Sequence, residues 1–325
     1  MGIPKAASTG ITTHPEVLEA IIDWIRPRTD DISIVESQST APNQTPETNF
    51  EKCGAAELSR RKGVKLVNLS NDPKEIVYTE RGLARKEYTI SKTLVDADVI
   101  INVPVLKTNN LTALTLGIKN LYGLWWGNKF TFHDSVWDVI DRKTMRVDRR
   151  IDKVILDLHS IFEAKLKLTV LDAIVGSDGY FGVVSENPRN IGFVCAGYNT
   201  FAVDRFVSQA VGFDPKRLPY LAKGAEAGLF SFDDEIDVTG AGISDIRCDF
   251  DLGLEEALKV MDAMFEGHRN IDDLSKTTGM DGLKLKYLLD GMVEFGYIAL
   301  RNNEIKIKNR LYHTYMLSKT ALIDK

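Results

Sequence analysis

Two lysines, Lys107 and Lys119, stand twelve positions apart in a segment dense with hydroxyl and amide side chains: Thr108, Asn109, Thr115, Asn120 and Tyr122. Lysine binds phosphate or carboxylate as a point charge and changes its pKa readily on burial. The pair therefore reads as a site for an oxyanion, with a binding or acid role for each lysine. Thr108, Thr112, Thr115, Lys119 and Tyr122 recur at spacings of 4, 3, 4 and 3, one face of a helix. Leu111, Leu114, Ile118 and Leu121 supply the other face. A solvated helix face that carries threonines fits the same spacing. Beyond it, His133 beside Asp134 offers proton transfer near neutrality. A capping aspartate next to a satisfied histidine is the plainer alternative. Asp172 closes an apolar run, and Asp178 and Gly179 lie in the glycine-rich loop that follows. Carboxylates close to two lysines could relay a proton or hold a divalent ion; Asp172 could equally cap the turn. Asp204, amid apolar residues, is expected to be paired, most simply as a structural salt bridge. His14, just before Pro15, suits a helix cap or a position facing the cleft. His159, on an apolar-periodic helix, reads as structural.

These residues need elements to hold them. Val99–Val105 reads as a buried strand ending in the Lys107 loop, and Leu168–Val175 as a second, ending in Gly176–Gly182. In open α/β sheets ligands sit beyond the carboxyl ends of such strands, often where the next helix begins. Upstream, Pro15 opens a helix over Val17–Ile25. A strand follows at Ile32–Glu36, then a long polar loop over Ser37–Thr48, a helix over Phe50–Lys62 and a strand at Val64–Leu69. Asp138–Arg150 reads as surface loop or frayed helix, Ile151–Lys165 as helix, Ile191–Ala196 as strand, Phe201–Val211 as helix and Glu235–Thr239 as a short strand. Alternation of this kind predicts an α/β fold with a largely parallel sheet and flanking helices. Composition shifts near Gly253. Helices over Leu254–Phe265, Ile271–Thr278 and Leu283–Phe295 precede two short strands around Asn302–Asn303, a good hairpin turn, and a last helix from Leu311. Three helices and a hairpin form a winged-helix-like pattern, so the chain divides into 1–252 and 253–325.

Length and composition set bounds. The 325 residues are 44% hydrophobic and 27% charged, ordinary for a globular chain. A net charge of −5 gives no electrostatic reason to expect nucleic acid as the main partner. No apolar run approaches the ~20 residues of a membrane helix. The N-terminal residues lack the apolar core of a signal peptide and the myristoylation pattern. Cys53, Cys195 and Cys248 lie far apart with no CxxC pair, which argues against an iron–sulfur module or zinc ribbon and for reduced thiols in a cytoplasm. GxxxxGK[ST] and GxGxxG are both absent, against a standard ATPase or dinucleotide dehydrogenase.

The run Asp98–Pro104, then Leu106-Lys107-Thr108, Thr115 and Gly117–Gly123 resembles the signature of the DUF362 family, named for its unknown function. Thr12–Val17, His133, Val170–Ile174, Thr200–Asp204 and Val211–Asp214 continue the likeness, which covers roughly residues 10–242. The resemblance implies that the Lys107–Gly123 segment is the active-site element. Two departures stand out: Asn109 where relatives often carry histidine, and Asp178–Gly182 without the usual proline. Some relatives carry a ferredoxin module; this chain has none. A looser likeness is to nickel-pincer lactate racemases, which place a similar His/Gly/Lys loop at the active site.

Two functions follow as expectations. One is an enzyme acting on a small anionic metabolite, carboxylate or phosphate, as a homo-oligomer. Its site combines Lys107, Lys119, His133 and Asp172 with Thr108, Asn109, Thr115, Asn120, Tyr122, Asp178 and Gly179. Its cofactor is unknown, with a divalent metal one option. The other is a ligand-sensing regulator that binds DNA through the C-terminal segment. Lys284 and Lys286 there are offset by Asp290 and Glu294, which is thin cover for phosphate contacts, while Lys306, Lys308 and Arg310 on the wing are better placed for them.

Overall fold

The computed structural model describes residues 5–37, 45–126, 137–141, 146–183 and 187–323. It is a mixed α/β architecture of several small sheets with flanking helices. In chain order the strands are β1 (Ser33–Glu36), β2 (Lys65–Asn68), β3 (Lys74–Tyr78), β4 (Glu87–Ser91), β5 (Ile100–Asn102), β6 (Val105–Asn109) and β7 (Ala113–Thr115). They continue with β8 (Trp137–Asp141), β9 (Arg146–Arg149), β10 (Leu166–Ser177), β11 (Pro188–Gly197), β12 (Ile298–Arg301) and β13 (Glu304–Ile307).

The site depends on the five-stranded sheet of order β11-β10-β6-β7, in which β5 also pairs with β10. β5 and β6 run along the same side of the long β10. Pro104 separates them: it has no N–H to give the ladder, and its carbonyl accepts from Asp172 N at 2.8 Å instead. Both pairings with β10 are parallel, and so is β1–β2. However, β10–β11, β6–β7, β3–β4, β8–β9 and β12–β13 are antiparallel. The expected largely parallel sheet is therefore corrected to a mixed one. The connections explain it, because β7 and β11 follow their neighbours through loops too short for a crossover.

Three local expectations are also corrected. Residues 105–115 form a hairpin, not the first turns of an amphipathic helix; only Gly117–Asn120 is α-helical there, followed by a 3-10 turn over Leu121–Leu124. Asn109 Oδ1 accepts from Leu111 N (2.7 Å) and Thr112 N (3.2 Å), an Asx-type turn that reverses the chain before a helix can start. Ala113 completes the reversal in the left-handed region at φ 61°. Asp138–Arg150 contains β8 and β9, and Glu235–Thr239 is irregular.

Leu111, Leu114, Ile118 and Leu121 are all buried, in one core with the helices Arg150–Phe162, Thr200–Ala210 and Pro219–Glu226. His159 lies there against Phe201, with ring centroids 4.6 Å apart; burial pulls its pKa down to about 4, so it stays neutral. A second core gathers the helices Leu254–Phe265, Ile271–Thr278 and Gly282–Glu294 with β12 and β13. Tyr180 and Phe181 from the loop after β10 belong to this second core. Among the described residues no helix is long and apolar enough to cross a membrane.

Candidate functional site

Residues 10–14 lie against β10 and β6, from Gly176 past Lys107 to Asp172. Gly10 begins the segment at φ +71°; a Cβ there would stand 2.1 Å from the Gly176 carbonyl oxygen, so only glycine lets the backbone press this close to β10. Three contacts then follow in order. Ile11 O accepts from Lys107 Nζ (2.7 Å), Thr13 Oγ1 donates to Val103 O (3.1 Å), and His14 meets Asp172.

Asp172 is fully buried in β10. Its Oδ2 accepts from the His14 backbone N–H and lies 2.8 Å from His14 Nδ1, while Oδ1 accepts from Ile174 N at 3.1 Å. His14 precedes Pro15, which holds its backbone extended at φ −64°, ψ 130° and turns the ring away from the helix it introduces. With Nδ1 against Asp172, Nε2 is the ring nitrogen left for another partner. The His14 side chain is 13% exposed, so that nitrogen is not sealed in the core.

Lys107 stands on the same face of the sheet. It pairs across the ladder with Thr115 on β7 and with Ser177 on β10, and laterally paired residues share a face. Its side chain is buried. Desolvation pulls its pKa down to about 8, against the opposing pull of the Glu36 and Asp172 carboxylates. An ammonium has three donors. One goes to Ile11 O, and no second hydrogen-bond acceptor for Lys107 stands among the described residues. Thr115 Oγ1, buried and directly across from it, also lacks a hydrogen-bond partner among them. Buried polar groups are rarely left unsatisfied, and those that are ask for an explanation such as a bound ligand.

Glu36 ends β1, accepts from Ser37 N at 2.9 Å, and is close enough to act on Lys107. Ser37 Oγ donates to Gly123 O, which ties the Tyr122–Gly123 turn to the same corner. Lys119 is buried, its Nζ 4.3 Å from the centre of the Tyr122 ring, a cation–π contact.

The other expected residues have different placements. Asn109 closes its turn, as above. Asn120 Nδ2 donates to Asn102 Oδ1 (2.8 Å), and Asn102 Nδ2 to Gly117 O (2.8 Å), which locks the short helix to β5. Thr108 Oγ1, on the opposite face from Lys107, donates to Gly179 O at 2.6 Å. The Asp178 carboxylate accepts from Arg189 and from Asn187 Nδ2 (2.6 Å). Burial pushes its pKa up, and Arg189 opposes the shift. Among the described residues Asp204 forms no salt bridge; it accepts from the backbone of Gly117 and Ile118 and from Tyr220. His133 and Asp134 lie outside the described residues.

Two groups stand in the cluster without having been singled out as site residues: His14, weighed chiefly as a cap, and Glu36. The signal for Glu36 was present in its position, a carboxylate at a strand's end before a long polar loop. Among the described residues no three His, Cys, Asp or Glu side chains are placed to hold a metal ion. A surface groove lined by Arg269, Asn270 and Glu304–Ile307 shares no residue with the cluster.

A mixed α/β chain with a buried lysine on β6 and a carboxylate–histidine pair anchored on β10 defines the class. Residues 1–209 match DUF362, described as a domain of unknown function, and the chain belongs to that family. A thylakoid-associated protein from Synechocystis sp. is 29% identical over 140 residues, 43% of this chain. The match covers 40% of that protein's length. The lactate racemase apoprotein from Thermoanaerobacterium thermosaccharolyticum aligns with 98% of this chain and 72% of its own at a TM-score of 0.46 and 13% identity. A likeness that loose bears on neither reaction nor substrate.

Proposed function

We propose that the chain is an enzyme acting on a small anionic substrate, a carboxylate or phosphate. In this reading Lys107 and Lys119 supply positive charge, and His14, oriented by Asp172, moves the proton. The observation that carries the reading is Lys107: a buried ammonium with one backbone acceptor, facing an unpartnered Thr115 hydroxyl. An oxyanion would satisfy both groups at once. The neighbouring His14–Asp172 pair supports catalysis over storage, since a ring held by a buried carboxylate is a pre-oriented acid or base. The reaction class is left open by these residues.

The test is thermal unfolding of the wild-type chain and Lys107→Ala with oxalate or inorganic phosphate. A ligand at 100 times its Kd stabilises by about 2.7 kcal/mol. The expected result is a rise in Tm for the wild type and none for Lys107→Ala. An equal rise in both, or no rise with either anion, would overturn the reading.

Residues 253–325 are proposed as a separate winged-helix-like domain beginning near 252, a reading supported by its three helices and the β12–β13 hairpin. A DNA-binding role draws less support. Lys284 pairs with Glu256 and Lys286 with Asp290, so the cations of the candidate recognition helix already face carboxylates.

A further inference from the structure

The loop after β10 is held from two sides. On one side Thr108 Oγ1 donates to Gly179 O (2.6 Å), and Ser177 pairs with Lys107. On the other, the C-terminal helix Gly282–Glu294 grips the same loop. Tyr287 OH donates to Asp178 O (3.1 Å) and accepts from Phe181 N (3.2 Å), so one hydroxyl bridges two loop residues. Phe181, wholly buried, lies flat on Gly291: a Cβ there would stand 2.3 Å from its ring. Tyr180 OH meets Ser318 Oγ at 2.8 Å. The turn between β6 and β7 is tied in as well, Asn110 Nδ2 donating to Tyr297 OH at 3.0 Å.

The geometry points to Tyr287 and Gly291 as positioning residues for the Lys107 site, with the helix Gly282–Glu294 acting as a clamp on the loop that sets strand β6. The inference rests on Lys107 as the working lysine of the proposed enzyme. It gives the C-terminal elements a task within the molecule that needs no nucleic acid. Their helix contributes no charge to the cluster; it fixes the backbone on which Lys107 and Thr108 are mounted. Nor is the contact simple core packing, because the hydroxyl of Tyr287 is directed at loop backbone.

The test uses the full chain carrying Tyr287→Phe, which keeps the ring, and Leu274→Ala, which thins the C-terminal core and keeps the Tyr287 hydroxyl with its two loop contacts. Two quantities are read: amide exchange over 179–183, and the pH at which Lys107 reacts half-maximally with acetic anhydride, followed by peptide mass spectrometry. In the wild type that midpoint is expected near pH 8. Tyr287→Phe should speed loop exchange roughly tenfold or more and move the Lys107 midpoint upward as water reaches it. Leu274→Ala should lower Tm and leave the midpoint in place. The inference is overturned if Tyr287→Phe leaves the midpoint unmoved, or if Leu274→Ala moves it as far. Failure of the enzyme reading is told apart by the anion experiment, since a wild type blind to oxalate and phosphate can still show the coupling.

Discussion

Asp172, on strand β10, and Asp204, on the helix Thr200–Ala210, are both fully buried carboxylates, yet they do different work. Asp204 accepts from the amides of Gly117 (2.7 Å) and Ile118 (3.0 Å) and from Tyr220 OH (3.2 Å). It thereby starts the short helix that carries Lys119. Gly117 is fitted to it, because a Cβ there would come within 2.5 Å of Thr200 Cγ2. Asp172 instead holds an imidazole that is not sealed from solvent. Burial is common to both carboxylates; what separates a structural one from a candidate for chemistry is whether its partner reaches solvent.

The largest expected effect breaks the pair apart. Asp204→Ala leaves two amides and a tyrosine hydroxyl unpaired in the core, and each buried unsatisfied group costs about 1–3 kcal/mol. A loss of roughly 3–5 kcal/mol is expected in urea unfolding. Asp172→Ala should cost about half as much, because water can reach His14. Equal losses would mean that the two sites do not differ as argued. pH sharpens the contrast. Burial pushes Asp204 up to about 7, above the ordinary carboxylate value of 3.8. Between those values the folded state keeps a proton that the unfolded chain releases, so this group's contribution falls as pH rises from about 4 through 7. Asp204→Asn, neutral throughout, should flatten that slope.

Lys107 offers the next effect, with opposite sign. Its pKa lies near 8 when folded, below the ordinary 10.5. The stability tied to it is present above pH 10.5 and lost as pH falls through 8. At neutral pH the buried charge therefore costs on the order of 3 kcal/mol. Lys107→Met should make the protein more stable at pH 7 by about 2 kcal/mol, while its response to oxalate or phosphate disappears. A substitution that stabilises the fold and removes binding marks a residue kept for function. A destabilised Lys107→Met would place the lysine among the structural groups instead.

Much of this was legible in the sequence. The buried strand around Leu171, the position of the strand around Ile101 (half-buried, with Val99 exposed before it), the helix opened by Pro15, the apolar set Leu111, Leu114, Ile118 and Leu121, and the C-terminal order of helices and hairpin follow from periodicity and turn residues. The polar stripe misled because spacings of 4, 3, 4 and 3 count positions without registering a reversal. Asn109 turns the chain through its own side chain, and Thr108 and Thr115 then fall on strands that threonine favours. The His14–Asp172 pair spans 158 positions. No local pattern signals such a contact; it arises because Gly10 lets one segment press close against β10. The mixed sheet escaped for a related reason: alternation of strands and helices says little about which strands pair.

The smallest effect concerns Asn109, which occupies the position where relatives often carry histidine. If its side chain contacted the substrate, Asn109→Ala would reduce the anion-induced rise in Tm. The geometry argues otherwise. Its carbonyl oxygen already accepts from Leu111 N and Thr112 N, and the residue is buried. Asn109→Ala should thus cost about 1 kcal/mol, the usual worth of such a side-chain cap, with the anion response unchanged. Asn109→Asp, which keeps the accepting oxygen, should recover most of that stability. Loss of the anion response in Asn109→Ala alone would return the residue to the site and make the hairpin turn, beside Lys107, part of the substrate contact.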